Sequence, residues 1–196
     1  EEMSLEPLTD YSKFKADCEK ILLNYQSDKF TVTVIRPATV CGYALRQRLD
    51  VVVNILTNLA YHNRMIKIFG GDQLRPNIHI GDMAKSYDLI MNAPKDKIDG
   101  QIFNAGFENK SVREIGKIVK KEIGEDVKFL VEKTDDNRSY HISSKKIENI
   151  LGFKPSYNIE DAVKELKNAF NKKKLTNPLT NEFYFNIKRM QSIKLK

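Results

Sequence analysis

The sequence predicts an α/β protein, and three observations carry that expectation. Helical and strand-like segments alternate along the chain; one strand-like segment, rich in β-branched residues, follows directly on a helix; and 41% of the 196 residues are hydrophobic. That composition can fill the core of one domain, or of a large part of a bigger protein. A helix followed by a buried strand is one half of a βαβ unit, the building block of parallel sheets.

Taken in order, Pro7 and the polar pair Thr9-Asp10 start a first helix that runs to about residue 27, where Asp28-Lys29 breaks the pattern. Phe30-Thr31-Val32-Thr33-Val34-Ile35-Arg36 follows as a buried strand with Pro37 as its stop. Residues 37–49 read as a loop with Gly42 as a turn point, and residues 50–63 as an amphipathic helix capped by Asp50. Met65-Ile66-Lys67-Ile68-Phe69 is a short strand ended by Gly70-Gly71; residues 72–76 are a loop; Asn77-Ile78-His79-Ile80 is a second short strand. Asp82 is placed to cap a helix reaching about Asn92.

The second half alternates again. Gln101-Ile102-Phe103-Asn104 is a strand, Ser111 with Glu114 forms a capping box for a helix to about Ile123, and residues 127–131 form another strand. Ser143 or Ser144 caps a short helix that Gly152 ends, and Asn158 caps a last helix from Ile159 to about Lys172. The aromatic run Phe183-Tyr184-Phe185 in the tail suits either docking on a core or partner or a frayed terminus. There is no internal repeat and no low-complexity segment.

The net charge is +7, mostly lysine scattered over the predicted helices, with basic clusters only at Lys172-Lys173-Lys174 and from Lys188 onward. Without interleaved arginine and aromatic residues this reads as a solvated surface rather than a nucleic-acid face. Two cysteines, Cys18 and Cys41, make no disulfide framework, and no Cys/His spacing suits a metal. A reducing cytoplasm is the expected compartment. The chain lacks an apolar run of membrane-spanning length, and no membrane association is expected. It opens in mid-phrase at Glu1, and a preceding N-terminal portion is expected to be missing.

Chemistry enters at Tyr11-Ser12-Lys13-Phe14-Lys15. Tyr11 and Lys15 stand one helical turn apart on one face. An ammonium near a phenol favours the phenolate by charge, the form that accepts a proton. The same spacing also marks ordinary amphipathic surface, and alone it does not choose. Three further phrases follow it: Arg36-Pro37-Ala38-Thr39-Val40-Cys41-Gly42; Phe69-Gly70 with Arg75-Pro76-Asn77-Ile78-His79-Ile80-Gly81-Asp82; and Asp136-Asn137-Arg138-Ser139-Tyr140 ahead of Leu151-Gly152-Phe153-Lys154-Pro155.

In this order and spacing the four phrases closely resemble the extended short-chain dehydrogenase/reductase family, in its NAD-dependent nucleotide-sugar epimerase and dehydratase branch. The resemblance implies the C-terminal part of a Rossmann-like parallel sheet plus the small α/β substrate-binding domain of such enzymes. It places residues 1–42 in the NAD-binding domain and 43–175 mostly in the nucleotide-sugar domain, with a return to the Rossmann sheet near 77–106 and a tail at 176–196. It implies NAD as cofactor, a nucleotide-diphosphate sugar as substrate, and, in the full-length protein, a homodimer built on the helix carrying Tyr11. Tyr11 is then the acid/base and Lys15 its electrostatic partner, both also touching the cofactor; Pro37, Ala38, Thr39 and Val40 meet nicotinamide and sugar.

Arg75 would grip the diphosphate, since a guanidinium fork matches phosphate oxygens, with a surface salt bridge as the lesser alternative. Phe69 would lie near the base or serve as a core aromatic. Lys133 and Arg138 would flank the anion, and Asn54 would line the sugar pocket. Thr39 stands where many relatives have asparagine and Cys41 where tyrosine is usual. His79 reads as a packing residue, Asp82 as a cap rather than an acid, and Cys41, with no histidine partner, as no nucleophile.

The family's Gly-x-Gly-x-x-Gly turn is absent from the sequence. So is the serine or threonine of the proton relay. The chain alone is therefore expected to be inactive or nearly so. A different class of reading, a non-catalytic binding module for RNA or a protein, remains beside the enzyme.

Overall fold

The computed structural model describes residues 1–134 and 139–194. Helix α1 (Asp10–Asn24) begins at a capping box in which Thr9 and Ser12 satisfy each other's backbone N–H groups. It ends short of residue 27, because Tyr25 closes onto the carbonyls of Leu22 and Leu23 and a Ser27–Phe30 bridge turns the chain. That turn takes Phe30, so strand β1 (Thr33–Pro37) starts three residues later than the sequence pattern predicts.

Part of each expected loop, 37–49 and 72–76, is strand, and so is a stretch after residue 107 that carried no assignment. β2 (Thr39–Cys41) pairs in parallel with β4 (Leu74–His79), Val40 opposite Ile78. β6 (Glu108–Ser111) runs antiparallel on the other side of β4, with Asn77 opposite Glu108. Neither shows the alternation of a lone strand; pairing to β4 creates them. β1 pairs in parallel with β5 (Gln101–Ala105). Pro37 lacks an N–H, and the ladder continues instead from the Ala38 N–H to the Ala105 carbonyl at 2.7 Å. At buried Ala38 the chain crosses from one sheet to the next. A third pair, β3 (Met65–Phe69) with β7 (Lys128–Glu132), is also parallel, and β3 alternates outward and inward with Ile66 and Ile68 inside.

Helices α2 (Val52–Asn63), α5 (Val112–Ile123) and α7 (Ile159–Asn171) pack on one another, and α2 and α5 pack on β3. Val53, Leu56, Ile66, Ile115, Val119, Ala162 and Val163 close that core. Each large apolar side chain buried there contributes about 1.5–3 kcal/mol. The capping box expected at Ser111 is present, and the cap expected at Asn158 forms a box as well, with Asp161. A second core joins β1, β5, β2 and β4 to α3 (Ile80–Met91) and α6 (Lys145–Leu151), around Ile78, Met83, Phe103, Ile147 and Phe153. Gly152 ends α6 with φ +69°. A short helix α4 (Lys95–Ile98), not anticipated, precedes β5.

Two expected caps have other roles. Asp50 does not cap α2; its carboxylate accepts from Arg48 Nε at 2.9 Å and from the Asn186 N–H at 2.8 Å. Asp82 is buried and accepts from the Ser156 and Tyr157 N–H groups, tying α3 to the approach to α7, while the His79 ring caps α3. Ser144 likewise turns its hydroxyl to Gly106, and Ser143 accepts from the Lys145 N–H. The tail is docked rather than frayed: a 3₁₀ turn (Glu182–Tyr184) leads into α8 (Asn186–Ser192), and Tyr184 and Phe185 pack on a cluster of Leu49, Leu166, Phe170 and Leu175. Among the described residues no helix is long and apolar enough to cross a membrane.

Candidate active site

Tyr11 and Lys15 project from the first two turns of α1, a helix that buries none of its residues. Tyr11 is 75% exposed and Lys15 is exposed. An ion pair ties α1 to the sheet: Arg36, on β1, donates through Nε and Nη2 to the Glu19 carboxylate at 2.6–3.2 Å. Both side chains are largely covered, at 22% and 17% exposure. The Glu19 hydrogen bonds hold the Arg36 guanidinium above its ordinary pKa, outweighing burial, so the pair stays charged.

Tyr11 stands at the junction of two clefts. One, of about 480 Å³, is walled by Tyr11, by Pro37, Ala38, Thr39, Val40, Cys41 and Gly42 along the β1–β2 crossover, and by Arg46, Gln47, Arg48 and Asn54. The other, of about 510 Å³, holds Tyr11, Ser12, Lys15, Arg36 and Pro37 with Leu5, Pro7 and Tyr87. Tyr11 and Pro37 belong to both. Six of the residues singled out in the sequence (Tyr11, Pro37, Ala38, Thr39, Val40 and Asn54) therefore line the first cleft, and Lys15 lines the second beside Tyr11.

Phe69, Arg75 and Lys133 line neither cleft. Phe69 is half exposed at the end of β3 with Lys67 Nζ 5.4 Å from its ring centre. Lys133 is exposed and follows Glu132, the register partner of Phe69. Arg75 donates to the Leu74 carbonyl at 2.9 Å and lies over the Tyr140 ring at 5.8 Å. Arg138 lies outside the described residues.

Asn54 has a second task in the cleft. Its Oδ1 accepts from the Gly42 N–H at 3.1 Å and its Nδ2 donates to the Arg48 carbonyl at 2.8 Å, so the side chain clamps the segment between them. Gln47, which the sequence reading passed over, does the same from within the loop. It is 2% exposed, accepts from the Ala44 N–H at 3.0 Å and donates to the Arg48 carbonyl at 2.9 Å. A glutamine between two arginines carries no signal of burial. Gly42 has φ +102°, and a Cβ there would meet His79 Nε2 at 2.8 Å, so the turn requires glycine.

His79 is buried. Its Nδ1 accepts from the Gly81 N–H at 3.1 Å, so the proton sits on Nε2, which donates to Glu165 at 3.0 Å; the ring stacks on Tyr157. Both nitrogens are engaged in structure. Burial pushes the Cys41 thiol up to about 12, and it donates to the Ile78 carbonyl, so it remains a thiol.

The fold has close counterparts among solved structures. UDP-glucose 4-epimerase from Thermotoga maritima, solved with UDP-glucose, is 24% identical with a TM-score of 0.75, over 87% of this chain and 56% of that one. UDP-glucuronic acid 4-epimerase from Bacillus cereus, in complex with UDP-glucuronic acid and NAD, is 21% identical with a TM-score of 0.76, over 88% and 55%. dTDP-glucose 4,6-dehydratase from Bacillus anthracis, in complex with NAD, is 21% identical with a TM-score of 0.75, over 96% and 58%. This chain thus spans between 55% and 58% of the length of these three. A sequence model of one family matches residues 1–106, more than half of the chain and all of the cleft-lining residues above, and the chain accordingly belongs to the NAD dependent epimerase/dehydratase family.

Proposed function

We propose that this chain is the catalytic and substrate-binding part of an NAD-dependent nucleotide-sugar epimerase, of the UDP-glucose 4-epimerase kind, or dehydratase. The observation that carries the reading is the position of Tyr11, on the wall shared by a cleft with Lys15 and a cleft walled by residues 37–42. Each cleft has the size of a small-molecule site.

The residues present fit one end of NAD. Lys15 and Pro37 in one cleft, and Pro37 and Ala38 in the other, would leave room for a ribose and a flat ring beside Tyr11. A Gly-rich cradle for the pyrophosphate is not in the sequence, so that end would rest on another part of the protein. NAD, when bound, supplies the acceptor and later the donor of a hydride. Tyr11 takes the proton of a sugar hydroxyl at its Oη as the carbon is oxidised and returns it when the carbon is reduced. Lys15, beside Tyr11 in the second cleft, would present its ammonium to the ribose hydroxyls. Residues 37–40 hold the sugar against Tyr11, Thr39 offers it a polar contact, and Asn54 lines the pocket while holding the backbone of Gly42 and Arg48.

In this reading residues 1–42 belong to the cofactor side and 43–175 mostly to the substrate side. The pairing of β1 with β5 supports a return to the first sheet within 77–106. Phe69, Arg75 and Lys133, which line neither cleft, then serve the nucleotide end, and Arg138, outside the described residues, is proposed for the same end. The cytoplasm and a homodimer through α1 belong to the same proposal; Phe14, Ile21 and Leu22 are exposed on that helix and support it.

In the protein that joins this chain to a dinucleotide-binding half, Tyr11→Phe should lower kcat about 10²–10⁴-fold with nucleotide-sugar binding kept. Near-full turnover would overturn the assignment. Titration of the chain with UDP-, dTDP-, GDP- and CDP-sugars and with an RNA oligomer is the companion test. Binding of RNA alone, steeply weakened by salt, would favour a binding module instead.

A further inference from the structure

The outer wall of the 480 Å³ cleft is residues 44–48, and the C-terminal segment lies directly behind it. Leu49 donates its N–H to the Tyr184 carbonyl at 2.8 Å, and the Asn186 N–H donates to Asp50 Oδ2 at 2.8 Å. Arg46 bridges the two: it lines the cleft, yet its Nη1 donates to the Phe183 carbonyl at 2.6 Å and its Nη2 to Asn186 Oδ1 at 3.3 Å. Leu49, fully buried, anchors the contact under Tyr184 and Phe185. The segment is also braced on itself, by Arg189 donating to Glu182 at 2.5 Å and lying over the Phe183 ring at 4.4 Å.

We infer that residues 182–192 form a positioning strap for the substrate cleft: they set the place of the 44–50 wall and so the affinity for whatever the cleft binds. From inside, Asn54 and Gln47 hold the wall's backbone; from outside, the strap supplies the other half of the clamp. The asymmetry between the two halves makes the strap a point of control. Asn54 sits on a well-packed helix, whereas neither the 3₁₀ turn nor α8 buries a residue of its own. A segment with so little burial opens at far lower free energy than the core. Because wall and strap share hydrogen bonds, a ligand that needs the wall in place stabilises the docked strap, and the docked strap tightens the ligand by the same factor. The affinity part of the inference rests on the proposed function of the cleft; the positioning part does not.

Asn186→Pro tests it in the full chain. Asn186 is the first residue of α8, where proline is tolerated, and Phe185 before it is extended, so α8 persists while the N–H to Asp50 and the side chain to Arg46 are both removed. Hydrogen exchange at the Leu49 amide should speed up about tenfold or more, with the α2 and α5 amides unchanged. A chain ending at residue 181 should show the larger effect. An unchanged Leu49 amide in Asn186→Pro, or an equal loss of protection throughout α2, would overturn the strap; if the shortened chain does not fold, Asn186→Pro decides alone. UDP-glucose should bind Asn186→Pro about tenfold more weakly than the unaltered chain, and equal affinities would remove the coupling. Failure of the unaltered chain to bind any nucleotide sugar would count against the proposed function, with the strap still judged on Leu49.

Discussion

Helices α1 and α7 are of similar length and equally well capped, yet they are held in opposite ways. Helix α7 buries Ile159, Ala162, Val163, Leu166, Ala169 and Phe170 along one stripe, and α1 buries nothing. The candidate acid/base and its lysine stand on α1. The proposed chemistry thus sits on the less anchored element, at a junction of clefts, while of the packed helices α2 adds Asn54 to the wall of one cleft. Stability and the proposed activity are therefore separable, and substitutions can be chosen that move one without the other.

The largest effect belongs to α7. Leu166→Ala opens a cavity in the cluster Leu166 forms with Leu49, Phe170 and Leu175 and should cost about 2–5 kcal/mol, read as a fall in the denaturation midpoint. Ile21→Ala on α1, at a side chain 55% exposed, should stay within about 0.5 kcal/mol in the same titration. Equal losses at the two sites would erase the distinction drawn between the helices.

Next comes the ion pair that ties α1 to β1. Glu19→Ala removes the carboxylate that receives three close Arg36 contacts and leaves the guanidinium covered without its partner. The cost is about 1.5–3 kcal/mol, confined to the docking of α1. Exchange of the α1 amides should accelerate while those of α5 do not. Uniform acceleration would mean that α1 and the core open together.

This division also explains how much was legible in the sequence. Elements specified by neighbours in the chain were readable: the box at Ser111–Glu114, the Asn158 cap, strand β3, and the glycine stop after α6. Elements that exist because of a distant partner were not. Glu108-Asn109-Lys110-Ser111 has no apolar face and becomes strand through β4. Asp50 and Asp82 carry the right chemistry for caps, but the N–H groups of Asn186 and Ser156, more than 70 residues away along the chain, take their carboxylates. In the site, the motif residues 11, 15 and 37–40 come together because a helix and the end of the following strand are neighbours in a βαβ unit. Gln47 and the strap could not be found that way, since a buried glutamine and a docked tail differ from a surface loop and a frayed end only in tertiary contact.

The smallest predicted effect lies on the packed side and concerns a charge. Glu108 faces the N-terminus of α7 and accepts from the Ile159 N–H at 2.6 Å. Burial raises its pKa above the ordinary 4.5, outweighing that hydrogen bond, and Glu160 adds to the rise. A raised carboxyl binds its proton more tightly folded than unfolded, so its contribution is favourable below the ordinary value and is lost as pH rises through the folded one. Across the ladder, Asn77 Oδ1 is buried without a partner among the described residues. Glu108→Gln keeps an acceptor for Ile159, removes the charge, and brings an amide donor beside Asn77. The variant should be more stable than the parent at neutral pH by about 0.5–1.5 kcal/mol. That advantage should shrink on acidification below the raised pKa, where the parent's carboxyl is neutral too. An advantage independent of pH would assign the gain to the Asn77 hydrogen bond alone, and its absence at every pH would mean that solvent already screens the Glu108 charge.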